Sequence, residues 1–502
     1  MLATALTAAL QGVEARLVQV EADTAPGFPK FTMLGLPDSC VKESEGRVRA
    51  ALRNCGYAFK WDRRITVNLA PASLPKVGSS YDLATALGLL AADGVVPAGI
   101  LKELLLVGEL ALDGGVRPVT GVLPMMLMAR RQGIPAALVP EENAREAALA
   151  SGVQVFPVAT LLQAVSLASA TERPDPTRPP PPRPPATRAP DLADVRGQTL
   201  ARRALEVAAG GGHNLLLVGP PGAGKTMLAR RLPGILPALS AEEALETTAL
   251  HSAWGARAES LMRERPFRAP HHTASDAALV GGGRVIRPGE VSLAHNGVLF
   301  LDELPEFRRN VLDALRQPLE ERFVTIARAD GRLRLPARFQ LVAAMNPCHC
   351  GFHGSPDRGC RCSERQVRTY QGRVSGPLLD RIDIQVDVRA VPFDEISGAQ
   401  GEPSAEVARR VVAARGRQRL RSGETGAWVN AELGSAALRR VARPDREGQA
   451  LLLAAGQRLA MSGRAHDRVL RVSRTLADLE GAPTVQAHHV AEAIQLRRGE
   501  TL

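Results

Sequence analysis

The stretch HNLLLVGPPGAGKTMLARRL, residues 213–232, decides the fold. The apolar run from Asn214 to Val218 reads as a buried strand, and Lys225 opens a helix. Between them Gly219, Pro220, Pro221, Gly222, Ala223, Gly224, Lys225 and Thr226 satisfy GxxxxGK[ST] without interruption. Glycines let backbone N–H groups wrap phosphates, and the helix N-terminus adds positive potential. These eight residues are expected to bind ATP, with Lys225 reaching the β and γ phosphates and the Thr226 hydroxyl holding Mg²⁺. Lys225 is also the only lysine after Lys102, and only six of the 63 Lys and Arg residues are lysines. An arginine-biased chain thus keeps a compact ammonium where a planar guanidinium would fit poorly.

Working outward, GVLFLDE at 297–303 is an apolar strand that ends in two carboxylates. After a phosphate loop, Asp302 is expected to hold Mg²⁺ and Glu303 to polarise the attacking water. A further strand, RFQLVAAMN, ends at Asn346, whose amide can orient that water or sense the γ phosphate. Strand and helix alternate to about residue 390. Beyond 400 the apolar spacing is almost wholly helical, as in SAEVARRVVAARGRQRL and AHHVAEAIQL. This pattern predicts an α/β ATPase core followed by a helical lid.

Four of the six cysteines, Cys348, Cys350, Cys360 and Cys362, fall within NPCHCGFHGSPDRGCRCSE at 346–364, while Cys40 and Cys55 stand alone. In a reducing compartment clustered thiols point to metal before disulfide. Two CxC pairs across a Gly/Pro-containing loop fill one tetrahedral site, so a structural Zn²⁺ is expected, with His349 and His353 as spare donors. Unliganded thiols in a loop are the alternative.

At 502 residues the chain is long enough for two to four domains. TERPDPTRPPPPRPPATRAP, residues 171–190, holds nine prolines and four arginines and is expected to be a semi-rigid spacer. The expected division is 1–170, the spacer 171–190, a core over 191–395 and a lid over 396–502. No run approaches the roughly 18 uninterrupted apolar residues of a membrane helix. The opening MLATALTAALQGVEARLVQV lacks a basic n-region and is read as a structural strand or helix. A cytoplasmic location and no membrane contact are expected. A net charge of +11 permits a polyanionic partner but does not establish one, since codon bias alone can enrich arginine.

From Asp191 to the end, the chain resembles the AAA+ ATPases. The resemblance places Arg381, in SGPLLDRIDIQV, at the arginine finger, which acts on the neighbouring subunit's nucleotide and implies a ring, a homo-hexamer. It places Arg464 at sensor 2, with Arg468 and Arg471 as alternatives on the same stretch, SGRAHDRVLRVSRTLADL. Residues 265–307, RPFRAPHHTASDAALVGGGRVIRPGEVSLAHNGVLFLDELPEF, resemble the magnesium-chelatase-like branch, which inserts a hairpin before the acidic strand. Here the hairpin is expected near Ala274 to Gly289, with GGG at its turn. Across its whole length the chain resembles the YifB/ComM family. That resemblance implies an ATP-dependent DNA motor of helicase or branch-migration type, acting on single-stranded or branched DNA in natural transformation or recombination. A chelatase-type subunit that remodels a protein partner is the alternative.

The N-terminal part resembles the catalytic domain of Lon protease, an α+β domain of the ribosomal S5 domain 2-like kind. PKVGSSYDLATALGLL puts Ser80 in the nucleophile's place. VGELALDGGVRPVTGVLPMMLMARRQGIPAALVPEEN puts Leu123 where the partner lysine stands. A serine nucleophile needs a base to take its proton. A proteolytically inactive domain is therefore expected.

Overall fold

The computed structural model describes residues 1–170, 172–181, 190–283, 287–328, 331–355, 358–392, 395 and 400–497. Of the expected spacer, residues 171 and 182–189 lie outside the described residues, and 172–181 form no helix or strand. The chain divides into two compact units: residues 1–184 with 240–262, and residues 185–239 with 263–502.

The first unit is built on strands β1 (Leu2–Gln11), β2 (Glu14–Ala25), β3 (Lys30–Leu34), β4 (Arg64–Ala70), β5 (Leu104–Leu106), the short pair β6 (Glu109–Leu110) and β7 (Val116–Arg117), β8 (Ala136–Pro140) and β9 (Gln154–Val158). Seven of them form a mixed sheet in the order β3-β4-β2-β1-β5-β8-β9. The opening stretch is thus an antiparallel hairpin, β1 against β2. Side chains alternate across a strand, so β1 sends Ala3 and Ala5 to one apolar cluster and Leu6 and Ala8 to another. The wholly buried helix Asp82–Ala92 fills the first cluster, and helix Val122–Arg131 fills the second. The segment Ser240–Met262 belongs to this unit: Ala249 of helix Ala241–Ala253 joins the second cluster, and buried Ser252 donates to buried Glu146.

In the second unit β10 (Leu215–Val218), β11 (Phe267–Arg268), β14 (Val298–Leu301), β17 (Gln340–Met345) and β18 (Ile384–Asp387) form a parallel sheet in the order β11-β14-β17-β10-β18. Its three central strands are buried residue by residue, as expected of a parallel sheet covered on both faces. Leu215 and Leu217 face one apolar cluster, and Leu216 and Val218 face the other. The first cluster also contains Val411, Ala414, Val472 and Leu476 from the C-terminal helices Ser404–Thr425 and Gly463–Glu480, packed with Ala204, Leu205 and Ala208 of helix Thr199–Gly211. The C-terminal helices therefore share one core with the sheet.

Two hairpins lie outside this sheet: β12 (Gly281–Gly282) with β13 (Arg287–Pro288), and β15 (Phe323–Arg328) with β16 (Gly331–Pro336). The first falls within the span expected for the insert, with Gly281 and Gly282 forming one of its arms. Residues 284–286, between its arms, are outside the described set. Among the described residues no helix is long and apolar enough to cross a membrane.

Candidate nucleotide-binding site

Three adjacent parallel strands, β10, β14 and β17, end on the same edge of the sheet, where open α/β sheets bind ligands. The loop after β10 carries Gly219 to Thr226. It enters between two neighbouring strand ends: the Gly219 N–H donates to the Met345 carbonyl at 3.1 Å, and a Cβ on Gly219 would fall 2.0 Å from the Val388 carbonyl oxygen. Only glycine fits that approach. Gly222 and Gly224 both take the left-handed conformation, at φ +78° and +88°, and a Cβ on Gly222 would meet nothing within 4 Å. This leaves an open cradle of backbone ahead of helix Lys225–Ala229, suited to phosphate oxygens.

Lys225 is buried, and its ammonium donates to the carbonyls of Gly219 (2.7 Å) and Pro220 (2.9 Å) and to Oδ1 of Asn346 (3.0 Å). Burial lowers its pKa, and the carboxylates of Asp302 and Glu303 oppose that shift. The Thr226 hydroxyl donates to Asp302 Oδ2 at 2.6 Å, so the two groups expected to hold Mg²⁺ already face each other across the β10–β14 edge. Oxygen ligands of this kind, one hydroxyl and one carboxylate, suit Mg²⁺ completed by water and phosphate. Glu303 follows in a left-handed conformation, φ +52°, that non-glycine residues rarely adopt and that marks functional sites. Its carboxylate is 56% exposed and lies 3.3 Å from Nδ1 of His272.

The structure thus brings Lys225, Thr226, Asp302, Glu303 and Asn346 together. It puts Arg381 and Arg464 elsewhere. Arg381 precedes β18, and its carbonyl accepts from the Asn214 side chain at 2.8 Å, at the start of β10. The four residues of β10, at about 3.3 Å each, separate it from the phosphate loop. Around it lies a cleft of about 750 Å³ lined by arginines 381, 464, 468 and 471 together with acidic residues that include Glu320 and Asp380. The Arg381 guanidinium pairs with Glu320 and donates to the Pro377 carbonyl.

Within this cleft Arg464 and Arg468 differ sharply. Arg464 is 72% exposed and comes no closer to Asp380 than 3.9 Å, whereas Arg468 is 5% exposed. Among the described residues, Nη1 of Arg468 and Nε of Arg381 are buried with no hydrogen-bond partner. Such orphaned donors cost about 1–3 kcal/mol each. Burial also lowers the pKa of Arg468, which like-charged Arg497 reinforces.

The cysteines converge as the spacing predicted. Sγ of Cys348 lies 3.3 Å from that of Cys350 and 3.7 Å from that of Cys360, and all four sulfurs lie within 4.8 Å of one another. Four thiolates about 2.3 Å from a central Zn²⁺ would be separated by about 3.8 Å, so the donor set fits. Backbone N–H groups of Arg361 and Phe352 lower the Cys350 thiol pKa, while burial and the neighbouring thiols of Cys350 and Cys348 raise those of Cys360 and Cys362. The cluster Glu480, His488 and His489 is a poorer candidate. Nδ1 of buried His489 accepts from the Gln486 N–H at 2.9 Å, which leaves Nε2 protonated and donating to Glu480.

In the first unit Ser80 is buried at the head of helix Asp82–Ala92, and Leu123 is fully buried in the second apolar cluster. Lys76, four residues before Ser80, is fully buried and donates its ammonium to the Pro71 carbonyl.

The residues underplayed by sequence reasoning are His272 beside Glu303, Arg468 in the cleft, and Gly351 beside the phosphate loop. The HH pair ahead of the insert signals the first. Helical spacing in Arg464, Arg468 and Arg471 places the second on a shared face. The third has no local signal.

Comparisons with known proteins agree with this geometry. Residues 191–396 match the family described as magnesium chelatase, subunit ChlI, residues 401–497 its C-terminal part, and residues 20–143 the subunit ChlI of Mg-chelatase. An uncharacterized protein of Mycobacterium tuberculosis is 46% identical over 507 residues, covering 99% of both chains. The competence protein ComM of Haemophilus influenzae is 44% identical over 503 residues, 99% of this chain and 97% of that protein. YifB of Escherichia coli is 44% identical over 499 residues, 98% of this chain and 96% of that protein. Lon protease of Rhizobium meliloti is 28% identical over 167 residues, 31% of this chain and 20% of Lon. With a phosphate loop set in an AAA+-related α/β sheet and full-length identity to both proteins, the chain belongs to the YifB/ComM family of magnesium-chelatase-like proteins.

Proposed function

We propose that this protein is an ATP-driven DNA motor that works as a homo-hexameric ring, of helicase or branch-migration type, in natural transformation or recombination. The observation that carries the ATPase reading is the interlock of Lys225, Asn346, Thr226 and Asp302 at one edge of the β10–β14–β17 sheet. Phosphate oxygens would replace the carbonyl and amide acceptors of Lys225, which leaves its ammonium on the β and γ phosphates. Thr226 and Asp302 would hold Mg²⁺, which supplies charge neutralisation between the phosphates. Glu303, beside His272, would orient the attacking water and accept its proton. Asn346 would then position that water or the γ phosphate.

The second site supports the ring reading. Arg381 and the buried Arg468 carry orphaned donors at the opposite edge of the same sheet, where they cannot reach their own phosphate loop. They fit a nucleotide presented by a neighbouring subunit, with Arg381 as finger and Arg468, in preference to Arg464, as the second sensor. The DNA target rests on the competence role named for the Haemophilus relative and on the net charge of +11. The ChlI matches favour a second reading, remodelling of a protein partner. Structural Zn²⁺ in the cysteine knuckle and a proteolytically silent first unit complete the proposal.

The deciding experiment measures ATP turnover with and without single-stranded and forked DNA at low salt, alongside strand displacement. Stimulation by DNA is expected, since phosphate contacts bind most tightly there. ATP turnover with no DNA binding and no stimulation would turn the reading toward a protein partner.

A further inference from the structure

The cysteine knuckle touches the phosphate cradle. Gly351, the residue after Cys350, takes φ +85° and lies so close to the loop that a Cβ on it would fall 2.4 Å from Cδ and 2.8 Å from Cγ of Pro221. Its N–H donates to the Cys348 carbonyl at 3.0 Å, so the contact is made by the first CxC turn itself. That turn is anchored on its other side too. Asn346, two residues before Cys348, accepts from Lys225, and the intervening Pro347 carbonyl accepts from Gln371 at 2.9 Å. The backbone around Cys348 and Cys350 therefore runs from one acceptor of Lys225 to the proline at the middle of the phosphate loop. Cys348 is fully buried along this path.

We infer that metal binding by Cys348, Cys350, Cys360 and Cys362 sets nucleotide affinity, acting through the Gly351–Pro221 contact. This rests on the zinc reading above. Two features make the contact a transmitter. It joins a rigid ring to a residue without a side chain, so a shift of one is not absorbed by a rotamer of the other. In addition, among the described residues the first CxC pair meets the second chiefly at the sulfurs, with Cys360 Sγ 3.7 Å from that of Cys348 and 3.6 Å from that of Cys350, beside the Arg361 N–H on Cys350 and the Arg358 guanidinium over the Phe352 ring. Without the metal those four sulfurs lose their common centre, the closed loop regains conformational freedom, and Gly351 is no longer held against Pro221. Gly351 and Pro221 are positioning residues in this scheme, and neither one reacts.

The test uses the full-length protein and two readouts: zinc content, by metal analysis and chromophoric release, and binding of a fluorescent ATP analogue. Protein as purified is expected to hold near-stoichiometric zinc. Removing it with a chelator should weaken analogue binding about tenfold or more, and added Zn²⁺ but not Mg²⁺ should restore it. Gly351→Ala, which forces the Pro221 ring aside, should keep its zinc and bind the analogue about tenfold more weakly. Combining it with Pro221→Ala should recover much of that loss, because the smaller side chain makes room for the new Cβ. Circular dichroism checks that zinc-free protein stays folded. If it unfolds, the zinc-loaded Gly351→Ala and double variants carry the test alone. Equal analogue binding by zinc-loaded Gly351→Ala and wild type overturns the coupling and leaves the zinc site standing. A protein that takes up no zinc overturns both.

Discussion

The two edges of the β11-β14-β17-β10-β18 sheet carry opposite kinds of chemistry. At the edge where β10, β14 and β17 end, the polar side chains complete one another: Lys225 has three acceptors and Thr226 is bonded to Asp302. At the other edge, the buried Arg468 and the part-exposed Arg381 each keep one buried donor atom, Nη1 and Nε, without a hydrogen-bond partner. At the first edge the polar side chains satisfy one another within one chain. The second has guanidinium donors that its own carboxylates, Glu320, Asp380 and Asp383, leave unsatisfied. A site assembled from two copies of the chain accounts for both observations, because each copy would supply a cradle on one side and arginines on the other.

Substitutions can break this contrast. The largest effect is expected at the first edge: Lys225→Ala should abolish binding of a fluorescent ATP analogue and bring turnover to background. A variant that still binds and turns over would remove Lys225 from the site. Next, Arg381→Ala should leave analogue binding within error of wild type while turnover falls about 10³-fold, the lower range for a lost arginine finger. Weakened binding in that variant would instead mean that Arg381 supports its own cradle. Arg468→Ala should cost about 10²-fold in turnover, as for the loss of one preorganised charge-stabilising donor. Arg464→Ala should cost less than about threefold, as expected for an exposed charge. The reverse ranking in steady-state rates would restore Arg464 as the sensor. The smallest effect belongs to the first unit, where Ser80→Ala is expected to leave both turnover and casein cleavage unchanged. Any loss of peptidase activity on that substitution would contradict the silent-domain reading.

Legibility in the sequence follows locality. Lys225 and Thr226 could be read from the GxxxxGK[ST] spacing that follows an apolar strand, and Asp302 and Asn346 because each directly follows the end of one, and strand ends converge in a parallel sheet whatever the loops do. The cysteine cluster could be read because its four thiols are close in sequence. Arg464, Arg468 and Arg471 share helical spacing, so sequence alone cannot rank them. Burial of Arg468 against the acidic residues Asp380 and Asp383 does so. Residues 240–262 fall inside the span expected for the core, 191–395, yet buried Ser252 and Ala249 tie them to the first unit, a pairing set by tertiary packing. The contact of Gly351 with Pro221 joins residues 130 positions apart, with nothing local to announce it.

The shared site is tested most directly by mixing two dead proteins. Lys225→Ala keeps its arginines, and Arg381→Ala keeps its cradle. At equal amounts, random assembly should place an intact cradle against an intact arginine at about one interface in four, so turnover should recover toward roughly a quarter of wild type. A mixture as inactive as its two parents, with gel filtration showing mixed assemblies, would contradict a nucleotide site completed by a neighbouring subunit.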